Sequence, residues 1–217
     1  MRLALFGGTF DPVHYGHLRL AEEAREAAVL ERVLFMPAYV SPFRTVERLS
    51  DAAHRLQMLR LAVGDNPSFE VSELEIQRGG VSYTIDTLRA LRAAYPDAEL
   101  FLILGADALQ GFMAWREPHS IVRECRLLVG ARPDYDLQAT LAQLPDPIRQ
   151  RVLPIPMTPL GASASDIRQR VRQGRSIRYL TPPSVIEYIQ QHRLYLEPER
   201  YDDGTEASND SERGGGR

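Results

Sequence analysis

Eleven residues near the start of the chain, Gly7-Gly8-Thr9-Phe10-Asp11-Pro12-Val13-His14-Tyr15-Gly16-His17, combine the residue types that meet phosphate. Two glycines let the backbone pass close to an anion and expose its N–H groups. A helical stretch begins at about Tyr15, and its positive end adds to the same spot. His14 and His17 stand three apart at that helix start, so both imidazoles can face one anion. Taken singly, the pieces have plainer meanings: a glycine pair is often a tight turn, and two histidines can hold zinc. No suitable third ligand stands nearby, however, and H-E-x-x-H is absent. The loop also lacks the later glycines of G-x-G-x-x-G, which disfavours a hydride-transfer enzyme.

A second group is Ser163-Ala164-Ser165-Asp166-Ile167-Arg168. Ser163 and Asp166 have the spacing of a capping box, so a helix is expected to open here. Its free N–H groups, two hydroxyls and Arg168 make a second anion site. Alone this would be an ordinary capped surface helix, but paired with the histidine loop at another strand end it reads as phosphate-binding. Gly105-Ala106-Asp107 follows the most strand-like run of the chain, and the only tryptophan, Trp115, lies eight residues beyond Asp107. Without further context that ring could be a core or lid residue.

These groups need elements to hold them at one place. Apolar runs at Leu3–Phe6, Val33–Met36, Leu100–Leu104, Leu127–Val129 and, more weakly, Val152–Ile155 read as buried strands. A strand pair is expected around Phe69–Val71 and Leu74–Ile76. Helical periodicity runs from about Tyr15 to Leu30, after a Ser50-Asp51 cap, after Thr84 as a cap, from Ser165 to Gln173 and from Pro183 to His192. Alternating strands and helices imply an α/β fold with a Rossmann-like doubly wound parallel sheet and C-terminal helices. Ligands in such sheets bind beyond the carboxyl ends of strands, where the order reverses. The chemistry is therefore expected after Phe6, Met36, Leu104 and Ile155.

The chain has 217 residues, is 44% hydrophobic and 25% charged, and so has the composition of a folded globular protein. All 26 basic residues are arginine. That suits phosphate recognition, although a genomic bias explains the bulk of it more simply. Residues 197–217 hold seven acids and three arginines, leaving 1–196 with a net charge of +1. A near-neutral body argues against a nucleic-acid partner. The domain is expected to span 1–196, with 197–217 an acidic disordered tail. No apolar run approaches a membrane span and no secretory pattern opens the chain, so a cytoplasmic location is expected. Cys125 stands alone and excludes a disulfide framework. Cys125, His54, His119 and His192 read as packing or surface residues. The oligomeric state stays open, a homo-oligomer included.

The stretch G-G-T-F-D-P-V-H-Y-G-H resembles the signature of the nucleotidylyltransferase superfamily with its H-x-G-H motif. From Leu3 to about Leu196 the chain resembles the bacterial nicotinate-nucleotide adenylyltransferases. Supporting segments are Met36-Pro37 with Pro42-Phe43-Arg44, Ser82–Leu88, Gly105–Asp107, Trp115-Arg116 and Ser163–Arg168. The resemblance implies adenylyl transfer from ATP to nicotinate mononucleotide, giving deamido-NAD and pyrophosphate. It implies catalysis by His17, His14 and Arg168. ATP would be held by Gly7, Gly8, Thr9, Phe10, His14, His17, Gly105, Asp107, Ser163, Ser165 and Arg168. The mononucleotide would be held by Thr9, Arg44, Tyr83, Thr84 and Trp115, with Trp115 stacked on the pyridine ring. Mg²⁺ is expected to arrive on the ATP phosphates, with no metal site built from protein side chains. One departure stands out: the family has Pro-Pro-His followed by a cation, and this chain has Ser41-Pro42-Phe43-Arg44, so position 43 loses a donor. A phosphopantetheine adenylyltransferase, a cytidylyltransferase and a nucleotide-binding protein without activity are the rival readings.

Overall fold

In the computed structural model the described residues are 1–43, 49–131, 135–158 and 160–196. Arg44 and the 197–217 tail lie outside them. Six strands form one sheet: β1 (Arg2–Gly8), β2 (Arg32–Pro37), β3 (Phe69–Val71), β4 (Glu99–Gly105), β5 (Arg126–Ala131) and β6 (Val152–Pro156). All neighbours are parallel, in the order β3-β2-β1-β4-β5-β6. The order reverses between β1 and β4, which makes the space beyond Gly8 and Gly105 the switch point of the sheet.

The helices are α1 (Tyr15–Ala28), α2 (Ala52–Val63), α3 (Leu74–Arg78), α4 (Thr84–Ala94), α5 (Ala106–Gln110), α6 (Pro118–Glu124), α7 (Leu137–Ala142), α8 (Asp146–Arg149), α9 (Ala164–Arg172) and α10 (Pro183–Gln191). Strand alternation sorts the core into two layers. Ala4, Phe6, Val33, Phe35, Phe101 and Ile103 face α1, α2, α9 and α10. Leu3, Leu5, Leu34, Met36, Leu100 and Leu102 face α4 and α6. The α/β doubly wound sheet and the two C-terminal helices are as the apolar runs predict, because strands buried on both faces must be apolar throughout.

Three local expectations are corrected. Leu74–Ile76 is not a strand but the start of α3. A strand would place Glu75 on the face opposite its neighbours. The helix instead lets Leu74 pack on the core while the buried Glu75 carboxylate accepts the Thr87 hydroxyl at 2.6 Å. Thr84 is the first residue of α4 and Tyr83 takes the cap position, without a side-chain cap bond. α1 closes at Ala28, because Val29 turns left-handed with φ 48°.

Cys125 is a packing residue, as expected. It is buried, its thiol donates to the Ile121 carbonyl, and burial pushes its pKa up to about 12. His54 is also structural, with Nδ1 2.9 Å from the Tyr188 hydroxyl where α2 meets α10.

Candidate active site

The loop from Gly8 to His14 leaves β1 and returns as α1. Phe10 takes φ 50°, and its ring is 1% exposed, packed edge-on against Phe6 and His17. A Cβ on Gly8 would lie 3.0 Å from that ring, so glycine is what lets Phe10 fold underneath. Phe10 was expected at the nucleotide; its side chain lies in the core, so only its backbone is available there.

His14 is the cap residue of α1 and is buried, and His17 stands one turn on. Their rings stack with centroids 3.6 Å apart, and the His14 amide donates to His17 Nδ1 at 3.2 Å. Gly16 makes this possible, because a Cβ there would lie 3.0 Å from the His14 ring and 3.4 Å from the Ala162 carbonyl oxygen. Burial first, and the neighbouring His14 second, hold the His17 pKa well below its usual 6.5. His17 is therefore a neutral imidazole with the proton on Nε2, a donor that adds no charge of its own.

Both histidines face a cavity of about 350 Å³ beyond the ends of β1, β4 and β5. Gly105, Ala106 and Asp107 form one wall and Met157, Leu160 and Ala162 another, with Gly130 and Tyr135 between them. Of the expected ATP residues, His14, His17, Gly105 and Asp107 line this space. Gly7, Gly8, Thr9, Phe10, Ser163, Ser165 and Arg168 are not among its lining residues. Among the described residues no three His, Cys, Asp or Glu side chains gather into a metal cage.

Ser163 caps α9 and accepts the Asp166 amide at 3.2 Å, as its spacing predicts. Its hydroxyl is 3.2 Å from that of the exposed Ser165. Arg168 is buried, and its Nη1 donates to the Asp11 carbonyl at 2.8 Å. It thus binds the histidine loop from beneath rather than lining the cavity.

A second group of expected residues meets elsewhere, over the other face of the sheet from Phe10 and α1. Trp115 lies between Phe43 and Phe112, with ring centroids 5.5 and 5.3 Å away. The Arg116 guanidinium sits over the Tyr83 ring at 4.7 Å. Tyr39 N–H donates to the buried Ser82 hydroxyl, and Ser82 N–H donates to the Val40 carbonyl. Those bonds bring the segment after β2 against the start of α4, where Tyr83 and Thr84 lie. Phe43 contributes an aromatic contact to Trp115.

Several residues that shape the site were not among the candidate site residues. The buried Glu23 carboxylate accepts the Thr158 amide at 3.0 and 3.2 Å and its hydroxyl at 2.6 Å, which fixes the segment carrying Met157 and Leu160. Asp11 is buried and accepts the Tyr195 hydroxyl at 2.5 Å and the Ser50 amide at 3.0 Å. Thr181 donates to the Val13 carbonyl at 2.7 Å. The signal available for Glu23 was its position on the apolar face of α1, three residues after the buried Leu20.

The chain is similar to proteins of a known family. A family model described as cytidylyltransferase-like matches residues 5–170. A curated relative from Thermomicrobium roseum, named "Probable nicotinate-nucleotide adenylyltransferase", is 45% identical over 196 residues, covering 89% of this chain and 91% of its own. A second from Roseiflexus sp., with the same name, is 47% identical over 195 residues, covering 89% and 97%. The chain belongs to the nicotinate-nucleotide adenylyltransferase family. A solved structure of Plasmodium falciparum nicotinic acid mononucleotide adenylyltransferase complexed with NaAD has a TM-score of 0.75 at 19% identity, covering 89% of this chain and 97% of that one. The same enzyme complexed with APC gives 0.73 at 19% identity, covering 89% and 96%. At that identity the likeness supports the fold of this family member. Among the described residues no helix is long and apolar enough to cross a membrane.

Proposed function

We propose that this chain transfers the adenylyl group of ATP to nicotinate mononucleotide, giving deamido-NAD and pyrophosphate. The observation that carries the reading is the meeting of His14 and His17 with Gly105–Asp107 around one cavity at the switch point of the sheet. This happens in a chain whose relatives carry that name along nearly their whole length.

The mononucleotide phosphate oxygen attacks the α-phosphorus in line. One P–O bond forms as the bond from the α-phosphorus to the bridging oxygen breaks, and pyrophosphate leaves with that electron pair. No covalent enzyme intermediate is needed, so catalysis rests on alignment and on donors placed where charge grows. His17 Nε2–H and His14 donate to the phosphate oxygens. Gly7, Gly8, Thr9 and the Phe10 backbone frame the same end, while Asp107 and Gly105 take the ribose. Ser163 and Ser165 open α9 toward the leaving pyrophosphate. Arg168, one turn further, supplies positive charge beneath them and holds the Asp11 carbonyl. Mg²⁺ would enter on the ATP phosphates and neutralise part of their charge, consistent with an ion that keeps most of its waters; no described side chain is assigned to it.

For the acceptor, Trp115 stacks on the pyridine ring, with Phe43 as a second aromatic neighbour. The N–H groups at Tyr83 and Thr84 receive the carboxylate, and Thr9 and Arg44 direct the phosphate.

The test is pyrophosphate release with ATP and Mg²⁺ over a panel of acceptors: nicotinate mononucleotide, its amide, and phosphopantetheine. Release with nicotinate mononucleotide well above the other two supports the reading. Release with phosphopantetheine alone contradicts it.

A further inference from the structure

Arg55 is 1% exposed and stands on the same face of α2 as Leu59, in the middle of the core. Among the described residues its guanidinium makes no ion pair with a carboxylate. Instead it donates to four backbone carbonyls from three separate segments: Nη1 to Thr9 at 3.0 Å and Ala38 at 2.8 Å, Nη2 to Tyr39 at 3.3 Å, and Nε to Ser50 at 3.0 Å. Thr9 follows β1, Ala38 and Tyr39 follow β2, and Ser50 precedes α2.

The position of Nη1 has a clear geometric meaning. The β1–β2 ladder reaches Gly8 opposite Pro37, and its last rung is Ala38 N–H to the Gly8 carbonyl at 2.9 Å. Beyond that rung the two chains part, one toward His14 and His17 and the other toward Ser41–Phe43. Thr9 and Ala38 would then each turn a carbonyl inward without a ladder partner. A single nitrogen of Arg55 accepts that task for both, so the guanidinium continues the ladder where the backbone can no longer do so.

We propose that Arg55 is a positioning residue for the transfer reaction, fixing the spacing between the loop that carries the histidines and the segment that approaches Trp115. The inference rests on the functional reading above, in which those two segments hold donor and acceptor. Loops at the ends of strands are free to shift unless something ties them. An in-line displacement is sensitive to displacements of about 1 Å, which can cost on the order of 10² in rate. The planar fork reaches carbonyls in three directions at once. An ammonium group is a point donor on a flexible stem and cannot reach the same set. Each subsite keeps its own contacts when the tie is lost, so the effect falls on the transition state rather than on either ground-state affinity.

The test is steady-state kinetics of Arg55→Lys and Arg55→Ala, alongside Ile148→Ala as a control for lost stability. Ile148 is fully buried in α8, before the amino end of β6 and far from the switch point. The expected result for Arg55→Lys is a kcat about 10- to 100-fold lower, with both KM values within about threefold of the parent. Millimolar methylguanidinium should restore part of the Arg55→Ala rate and none of the control's. Three results overturn the inference: parent-like kcat in Arg55→Lys, an equal fall in the control at a matched melting temperature, or a rise in one KM alone. A parent chain inactive with every mononucleotide overturns the functional reading and this inference with it. An active parent with an unaffected Arg55→Lys overturns this inference alone.

Discussion

The backbone N–H of His14 donates to Nδ1 of His17 at 3.2 Å while the two imidazoles stack at 3.6 Å. That one bond settles which nitrogen of His17 carries the proton, and aims Nε2–H away from it. Replacing His17 by alanine removes a preorganised donor, so kcat should fall by about 10²–10³ with the fold retained. Circular dichroism and steady-state rates check it; a folded mutant within threefold of the parent contradicts the assignment.

The pH dependence follows from the same pair. Burial, then His14, keeps the His17 pKa well below 6.5. Below pH 6.5 the unfolded chain takes up a proton here that the folded chain refuses, so stability falls as pH drops from 6.5 toward the folded-state pKa. Above 6.5 both states are neutral and the contribution is constant. His17→Ala should flatten this acid-side loss of melting temperature. The parent kcat should not rise between pH 8 and 6.5, since the neutral ring is the donor; an acid-side rise would indicate an imidazolium.

Glu23 and Thr158 give a prediction about ATP. Three hydrogen bonds to one buried carboxylate hold the wall that carries Met157 and Leu160. Hydrogen bonds to a charged group contribute roughly 1.5–3 kcal/mol. Glu23→Gln should raise KM for ATP by about tenfold and leave KM for the mononucleotide within twofold. Equal changes in both would show general loosening instead.

The strand runs, the switch point and the histidine loop were legible because each rests on local pattern: apolar runs, paired glycines and spacing along one helix. The roles of Arg55, Asp11, Glu23 and Tyr195 were not, because most of their partners stand far off in sequence, from Tyr39, 16 residues before Arg55, to Asp11, 184 residues before Tyr195. Only a charged residue on an otherwise apolar helix face hints at them, as Arg55 does before Leu59. For Arg168 the motif showed the residue but not its surroundings: packing of α9 buries it, and it donates to the Asp11 carbonyl 157 residues earlier.

The chain end divides at Tyr195. Burial and the Asp11 carboxylate push the Tyr195 hydroxyl pKa up, so it remains a donor to Asp11. Tyr195→Phe should lower the melting temperature by several degrees, since about 1 kcal/mol corresponds to roughly 2–4 °C at this size. Deleting 197–217, whose composition cannot build a core, should leave both stability and activity unchanged. A melting temperature lowered by the deletion as much as by Tyr195→Phe would show that the tail docks on the body.

The central claim is tested most directly by kcat/KM for nicotinate mononucleotide against its amide, with ATP and Mg²⁺, following pyrophosphate and identifying the dinucleotide formed. In the proposed reading backbone donors at Tyr83 and Thr84 receive the carboxylate, and one mispaired polar group at a closed site costs roughly 1–3 kcal/mol. The account predicts deamido-NAD as product and at least a tenfold preference for the acid. Trp115→Ala should weaken the mononucleotide far more than ATP, because Trp115 lies with Phe43 and Phe112 outside the histidine cavity. Equal efficiency with acid and amide, or no pyrophosphate with either, would contradict it.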